Sequence, residues 1–177
     1  MRCRMSGTLC IRRHKDMLTY NRTLTNARQF AAEGRLEEWI HAYLCSDGHN
    51  KPFSDGLRLE KRFYLGPMEM PLSLFTRCCG PEASMQWQVD EDSFRKHTDS
   101  LADAIRNHAD LPPLIVQFTA EPPSETGGNA TGRFTLNDGN HRFEAFRQVG
   151  IRQYSVIIWG TSPADREQFL TGYSQYL

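Results

Sequence analysis

From Thr25 onward the apolar residues fall first into a helical rhythm. TNARQFAAEG reads as a short helix stopped by Gly34. LEEWIHAYL follows, with Leu36, Trp39, Ile40, Tyr43 and Leu44 three or four positions apart. The apolar phase slips at Gly34, so two short helices are expected in place of one. Turn-forming residues dominate 46–56 (SDGHNKPFSDG), which predicts a loop. Between Arg62 and Phe75 the pattern becomes extended, interrupted by Pro67 and Pro71. Asp90 then stands at the cap of a helix over 91–107. Its Phe94, Leu101, Ala104 and Ile105 share one stripe, and its first turn holds Glu91 and Asp92, which the helix dipole favours.

Past Pro112-Pro113, the run Leu114 to Phe118 reads as a buried strand. EPPSETGGNATG (121–132) predicts a long mobile hairpin loop, followed by a strand over 133–136 and a turn at Asn137-Asp138-Gly139. A helix over 140–149 closes at Gly150, with Ile151 as its apolar stop. A strand over 154–159 comes next. Ser162-Pro163-Ala164-Asp165 then opens a last helix with a cap, a first-turn proline and an acid at the third position. The order predicts an α/β (or α+β) fold, a mixed sheet with flanking helices. The expected division is a flexible basic arm (1–24), a helical N-terminal extension (25–60) and a main domain (61–177).

Lys plus Arg number 21 and Asp plus Glu 21, so the formal net charge is zero. That argues against a generally basic nucleic-acid coat and against an acidic tail. Apolar residues at 39% are enough to bury a core, which excludes wholesale disorder. The basic side chains Arg2, Arg4, Arg12, Arg13 and Lys15 crowd the start against a single Asp16. No apolar run is long enough to cross a bilayer, and the first fifteen residues lack the apolar centre of a secretory signal, so a soluble cytoplasmic protein is expected. Cys3, Cys10, Cys45, Cys78 and Cys79 are odd in number and form no metal-type spacing, so no metal site and no disulfide framework are expected. The vicinal pair Cys78-Cys79 reads as buried thiols near a strand end.

Candidate chemistry concentrates in RFTLNDGNHRFEAFRQVGI, 133–151. A strand running into a helix through Asp138-Gly139 leaves the first helical N–H groups unpaired and backed by the dipole, which suits an anion such as phosphate. Gly139 supplies a positive φ or room for a close ligand. At 100° per residue Arg142 falls inside the apolar arc of Phe143, Ala145, Phe146 and Val149, so its guanidinium must snorkel out or meet an anion. Asn140 and His141 add an amide and an imidazole. The residues leave two readings open: a ligand site, or a cap in which Asp138 closes the turn and Arg142 pairs with a surface acid. Elsewhere His41 is expected on the outer side of its helix and His97 as a packing residue.

The run LPPLIVQF, then GRFTLNDGNHRFEAFRQVGI, then YSVIIW resembles the ParB/sulfiredoxin superfamily over roughly 68–159, in which a strand, a loop and a second strand lead into a Gly-x-x-Arg helix start. The resemblance implies nucleotide phosphates at Asp138, Gly139, Asn140, His141 and Arg142. ParB proteins carry Gly-Glu-Arg-Arg there and bind CTP; this chain shares the Gly and the last Arg. Sulfiredoxins carry Gly-Cys-His-Arg, and Asn140 stands here in place of the Cys, so their sulfur chemistry is not expected. Free-serine kinases carry Asp-Gly-His-Thr-Arg, matched by Asp138, Gly139 and Arg142. By order of elements, Glu82 in CGPEAS is the counterpart of their catalytic Glu. The implied activity is ATP- or ADP-dependent (or CTP-dependent) phosphotransfer to a small-molecule acceptor, with Mg²⁺ carried by the nucleotide. Glu82 or His141 would take the acceptor's proton, and Asp138 would hold a Mg²⁺-bound water or a ribose hydroxyl. Arg142→Ala is then expected to abolish nucleotide binding with little loss of folding. The alternatives are a ParB-like DNA-associated module (a nuclease or a nucleotide switch), and a non-catalytic binding member.

Overall fold

A computed structural model describes residues 18–121 and 132–177. Most of the basic arm, Cys3 and Cys10, and nearly all of the 121–132 loop lie outside the described residues.

Three short helices come first: α1 (Leu24–Ala32), α2 (Leu36–Cys45) and α3 (Lys51–Leu57). The Thr23 hydroxyl caps α1 by accepting from Asn26 N at 3.1 Å. The phase slip at Gly34 separates α1 from α2 as the pattern predicts. The expected loop over 46–56 is corrected by α3: Pro52 sits in its first turn, where a missing backbone donor costs nothing, so a residue that reads as a loop marker opens a helix.

Strand β1 (Phe63–Pro71) stays continuous across Pro67 because its register shifts by a bulge between Leu65 and Met68. It is followed by β2 (Phe75–Arg77), a small parallel pair β3 (Cys79–Gly80) and β4 (Trp87–Gln88), then α4 (Glu91–Arg106), capped by the Asp90 carboxylate on Ser93 N. The chain continues as β5 (Leu114–Ala120), β6 (Gly132–Asp138), α5 (Asn140–Gln148), β7 (Gln153–Gly160) and α6 (Pro163–Gly172), which starts with the expected Ser162/Asp165 capping box. Gly150, at φ 80°, ends α5, and Ile151 N bonds back to Phe146 O.

The five-stranded sheet has the order β1-β7-β5-β6-β2. β7 runs antiparallel to β1 and parallel to β5; β6 runs antiparallel to β5 and parallel to β2. It is a mixed sheet in an α/β fold, as expected. One face buries Val116, Phe118, Phe134, Leu136, Val156 and Ile158 beneath Phe143 and Phe146 of α5 and Phe169 of α6, with α4 packed on α5. The other face is covered over half its width. Ile115, Ile157 and Trp159 lie under Phe30, Trp39, Ile40 and Leu44 of the N-terminal helices.

Strand registry shows where that cover stops. Thr76 of β2 is opposite Thr135 of β6, Thr135 opposite Gln117 of β5, and Gln117 opposite Trp159 of β7. The transverse row is therefore apolar where the helices lie and polar where they do not. The fold leaves a hydrophilic half-face beside the start of α5.

Candidate functional site

That half-face is the floor of a cleft of about 1050 Å³. Gln117, Thr135 and Asn137 lie on it. Phe53 and the α2–α3 connection form one wall, Trp87 and Cys79 another, and Gly139 to His141 the end. Trp87 lines the cleft and keeps 63% of its surface exposed, an unusual state for an indole.

At the end wall, Gly139 is the N-cap of α5 with φ 96°, and no side chain caps the helix. A Cβ there would stand 2.6 Å from Leu114 Cδ2 and 2.7 Å from Arg142 Nη2, so both the conformation and the space demand glycine. The opening residues of α5 thus line the cleft without a side-chain cap.

Arg142 is used differently from either reading of the residues. Its place in the apolar arc does bury it, to 6% exposure. The anion it meets is the turn's own Asp138: Nη2 donates to Asp138 Oδ2 at 2.9 Å. Nη1 donates to the Tyr43 hydroxyl at 2.7 Å, and that hydroxyl donates to Asp138 Oδ2 at 3.2 Å. Burial, followed by the nearby carboxylate, pushes the Tyr43 phenol well above its usual range, so it stays protonated and keeps donating. Arg142 does not line the cleft. Two expectations are corrected here. Asp138 spends Oδ2 within this triangle and does not cap α5, and the Arg142 guanidinium is tied to Asp138 and Tyr43 inside the fold.

The other expected site residues are dispersed around the cleft. Asn140 is 6% exposed, and its Oδ1 accepts from Cys79 N at 3.3 Å, tying α5 to β3. His141 packs between Phe94 and His97, with ring centroids at 4.5 and 4.6 Å. Burial, then His97 and the cations Arg142 and Arg77, push its pKa down to about 4, so the ring is neutral near pH 7. Glu82 lies outside the cleft lining, where its Oε1 forms an ion pair with Arg77 Nη2. Cys78 is buried, donating to Leu136 O at 3.0 Å, as its strand-end position predicts, whereas Cys79, expected to be buried with it, is only half-buried because it stands at the cleft wall. Among the described residues no cluster of His, Cys, Asp and Glu could hold a metal ion, and no helix is long and apolar enough to cross a membrane.

Two arginines line the cleft, Arg77 and the exposed Arg133; of these Arg77 is the buried one, with its side chain 8% exposed. One arm of its fork holds Glu82; the other, Nη1, is buried without a partner. Its signal was present in FTRCCG: alternation places Arg77 on the inward side shared with Phe75, where a charged residue needs a reason. Tyr43 carried no comparable local signal, because its helical spacing reads as core.

No protein-family model matches the chain, and no curated protein matches it. Solved structures similar to it include the C-terminally truncated chromosome-partitioning protein ParB from Caulobacter crescentus complexed with CTP-gamma-S. That match has 15% identity and a TM-score of 0.33, and covers 63% of this chain and 53% of that one. Another is a Pnob8-like ParB-N domain, with 12% identity and a TM-score of 0.32, covering 64% of this chain and 37% of that one. The chain therefore spans about half of the first and just over a third of the second.

Proposed function

We propose that this chain binds a nucleotide in the cleft beside α5. The observation that carries the reading is the conjunction at one end wall: the start of α5, uncapped by any side chain, beside a buried guanidinium with an unpartnered arm. Phosphate oxygens suit both groups, since helix-opening amides and a fork donor each bind anions. The phosphates lie at Gly139, Asn140 and His141 with Arg77 beside them. The base lies toward the aromatic faces of Trp87 and Phe53, over the donors and acceptors of Gln117, Thr135 and Asn137. Asp138 and Arg142 contribute from behind by fixing the turn. Mg²⁺ rides on the nucleotide's own oxygens, because Asp138 is committed to Arg142 and Tyr43.

Phosphotransfer from ATP or ADP to a small-molecule acceptor is the finer form of this proposal. Phosphates arriving at Arg77 compete with Glu82 for its charge and free that carboxylate to take the acceptor's proton; His141, neutral, is the second candidate. A non-catalytic binding role is favoured by one observation: the only carboxylate lining the cleft among the described residues is Asp138, already paired.

Calorimetry with ATP, ADP, CTP and inorganic triphosphate tests the binding. Saturable binding is expected, weakened about tenfold or more by Arg77→Gln, which removes a charge-assisted contact of about 1.5–3 kcal/mol. Absence of binding by every nucleotide at millimolar concentration refutes the reading. Turnover lost in Glu82→Gln with affinity retained distinguishes catalysis from binding alone.

A further inference from the structure

A second cluster of reactive side chains gathers where α2 hands over to α3. Ser54, fully buried, is its hub. Its hydroxyl lies 2.8 Å from His41 Nδ1, accepts from Arg58 Nη1 at 2.8 Å, and accepts from the Cys45 thiol at 3.4 Å. With both lone pairs occupied, the hydroxyl proton is left for His41 Nδ1, which puts the imidazole's own proton on Nε2. His41 is only 8% exposed, contrary to its expected outward position, because α3 closes over it through Ser54. Nε2 has no hydrogen-bond partner, and Glu37 Oε1 stands 3.8 Å away. Cys45 is exposed and, with His41, Glu37 and Arg58, lines a hollow of about 620 Å³.

The three described cysteines differ in kind. Burial pushes the thiols of Cys78 and Cys79 up, away from the nucleophilic form. The Ser54 hydrogen bond, and then Arg58, hold the Cys45 thiol below its usual value. Burial and Arg58 push His41 below its usual value, so the ring is neutral at rest, with Glu37 favouring its protonated form.

We propose that Cys45 is a thiol-exchange site that forms mixed disulfides with small disulfide molecules entering this hollow. Ser54 and His41 relay its proton and Arg58 steadies the thiolate. In the step, Ser54 Oγ passes its proton to His41 Nδ1 and takes the proton of Cys45. The Cys45 sulfur attacks one sulfur of the disulfide, the new S–S bond forms as the old one breaks, and the electron pair departs on the outgoing thiolate. The imidazolium formed has Glu37 near its unpartnered Nε2–H. The hollow shares no lining residue with the cleft, and the proposal stands independently of the nucleotide proposal.

The test treats the full chain with oxidised glutathione or dithiobis(nitrobenzoate) near neutral pH, quenches with acid and maps the labelled peptides by mass spectrometry. Cys45 should acquire the mixed disulfide about tenfold or more faster than Cys78 and Cys79, and several-fold faster than in a free peptide spanning 42–48. Arg58→Met, an exposed change, should slow Cys45 toward the peptide rate and move the midpoint of its rate–pH curve upward with an unchanged circular dichroism spectrum. Ser54→Ala should do the same where it folds. A Cys45 rate no greater than the peptide's, or one that Arg58→Met leaves untouched, overturns the proposal.

Discussion

Replacing Arg142 by alanine should unfold this protein at a markedly lower temperature. The guanidinium and the Asp138 carboxylate are 7% and 10% exposed at 2.9 Å, and Tyr43 joins them in a triangle of hydrogen bonds that leaves only Arg142 Nε without a partner. Deleting one member strands Asp138 as a buried charge, which costs roughly 3–5 kcal/mol. For a chain of this size each kcal/mol moves the midpoint by about 2–4 °C, so a fall of roughly 6–20 °C follows. Urea denaturation followed by tryptophan fluorescence gives the free energy, and a cycle with Asp138→Leu and the double variant isolates the coupling. The double variant should recover much of the loss, because two apolar groups need no partners. A loss below about 1 kcal/mol for Arg142→Ala, or strict additivity in the cycle, would show that the pair is solvated and the reasoning false.

Three further outcomes follow from neighbouring features. His141 titrates at about 4 when folded against an ordinary value of 6.5, so the unfolded chain binds the extra proton between them. Stability should therefore fall as pH drops through that window, by on the order of 1 kcal/mol once partial solvation of the ring is allowed for, and His141→Gln should flatten the curve measured by denaturation at stepped pH. Gly139→Ala must hold φ 96° against Leu114 and should cost about 1–2 kcal/mol or more while weakening any anion at α5; unchanged thermal stability would contradict the strain. Phe118→Ala empties a 1%-exposed site among Phe134, Phe169 and Tyr173 and should cost roughly 3–5 kcal/mol by chemical denaturation.

Local signals were read well wherever one residue decides a local geometry. Gly139, Gly150 and Ser162 mark their helix ends in the sequence as they do in the structure, because a positive φ or a cap hydroxyl is a property of neighbouring positions. Helical phase places Arg142 in the apolar arc, but its full burial and its partners are not legible from the sequence. Asp138 read equally well as a cap or a metal-water ligand, and Tyr43 lies 99 positions away on a helix whose spacing says only core. Helix α3 escaped notice because Pro52 and Gly56 read as turn residues, while Ser54 and Leu57 gain their burial from tertiary packing. The buried stripe on α4 is slightly out of phase with the apolar pattern: Thr98 and Ala102 join Phe94 in burial, since the facing α5 decides which side is covered. The cleft floor depends on which half of a sheet face the first helices reach, and no local pattern records that.

The half-tiled sheet gives its three right-hand strands a division of labour. In β2, β5 and β6 the side chains holding the hydrophobic layer alternate with Thr76, Gln117 and Thr135, which hold nothing else in place. Changes at those floor positions can therefore alter the chemistry of the cleft surface without disturbing the scaffold beneath, so that surface is free to diverge while the architecture stays constant.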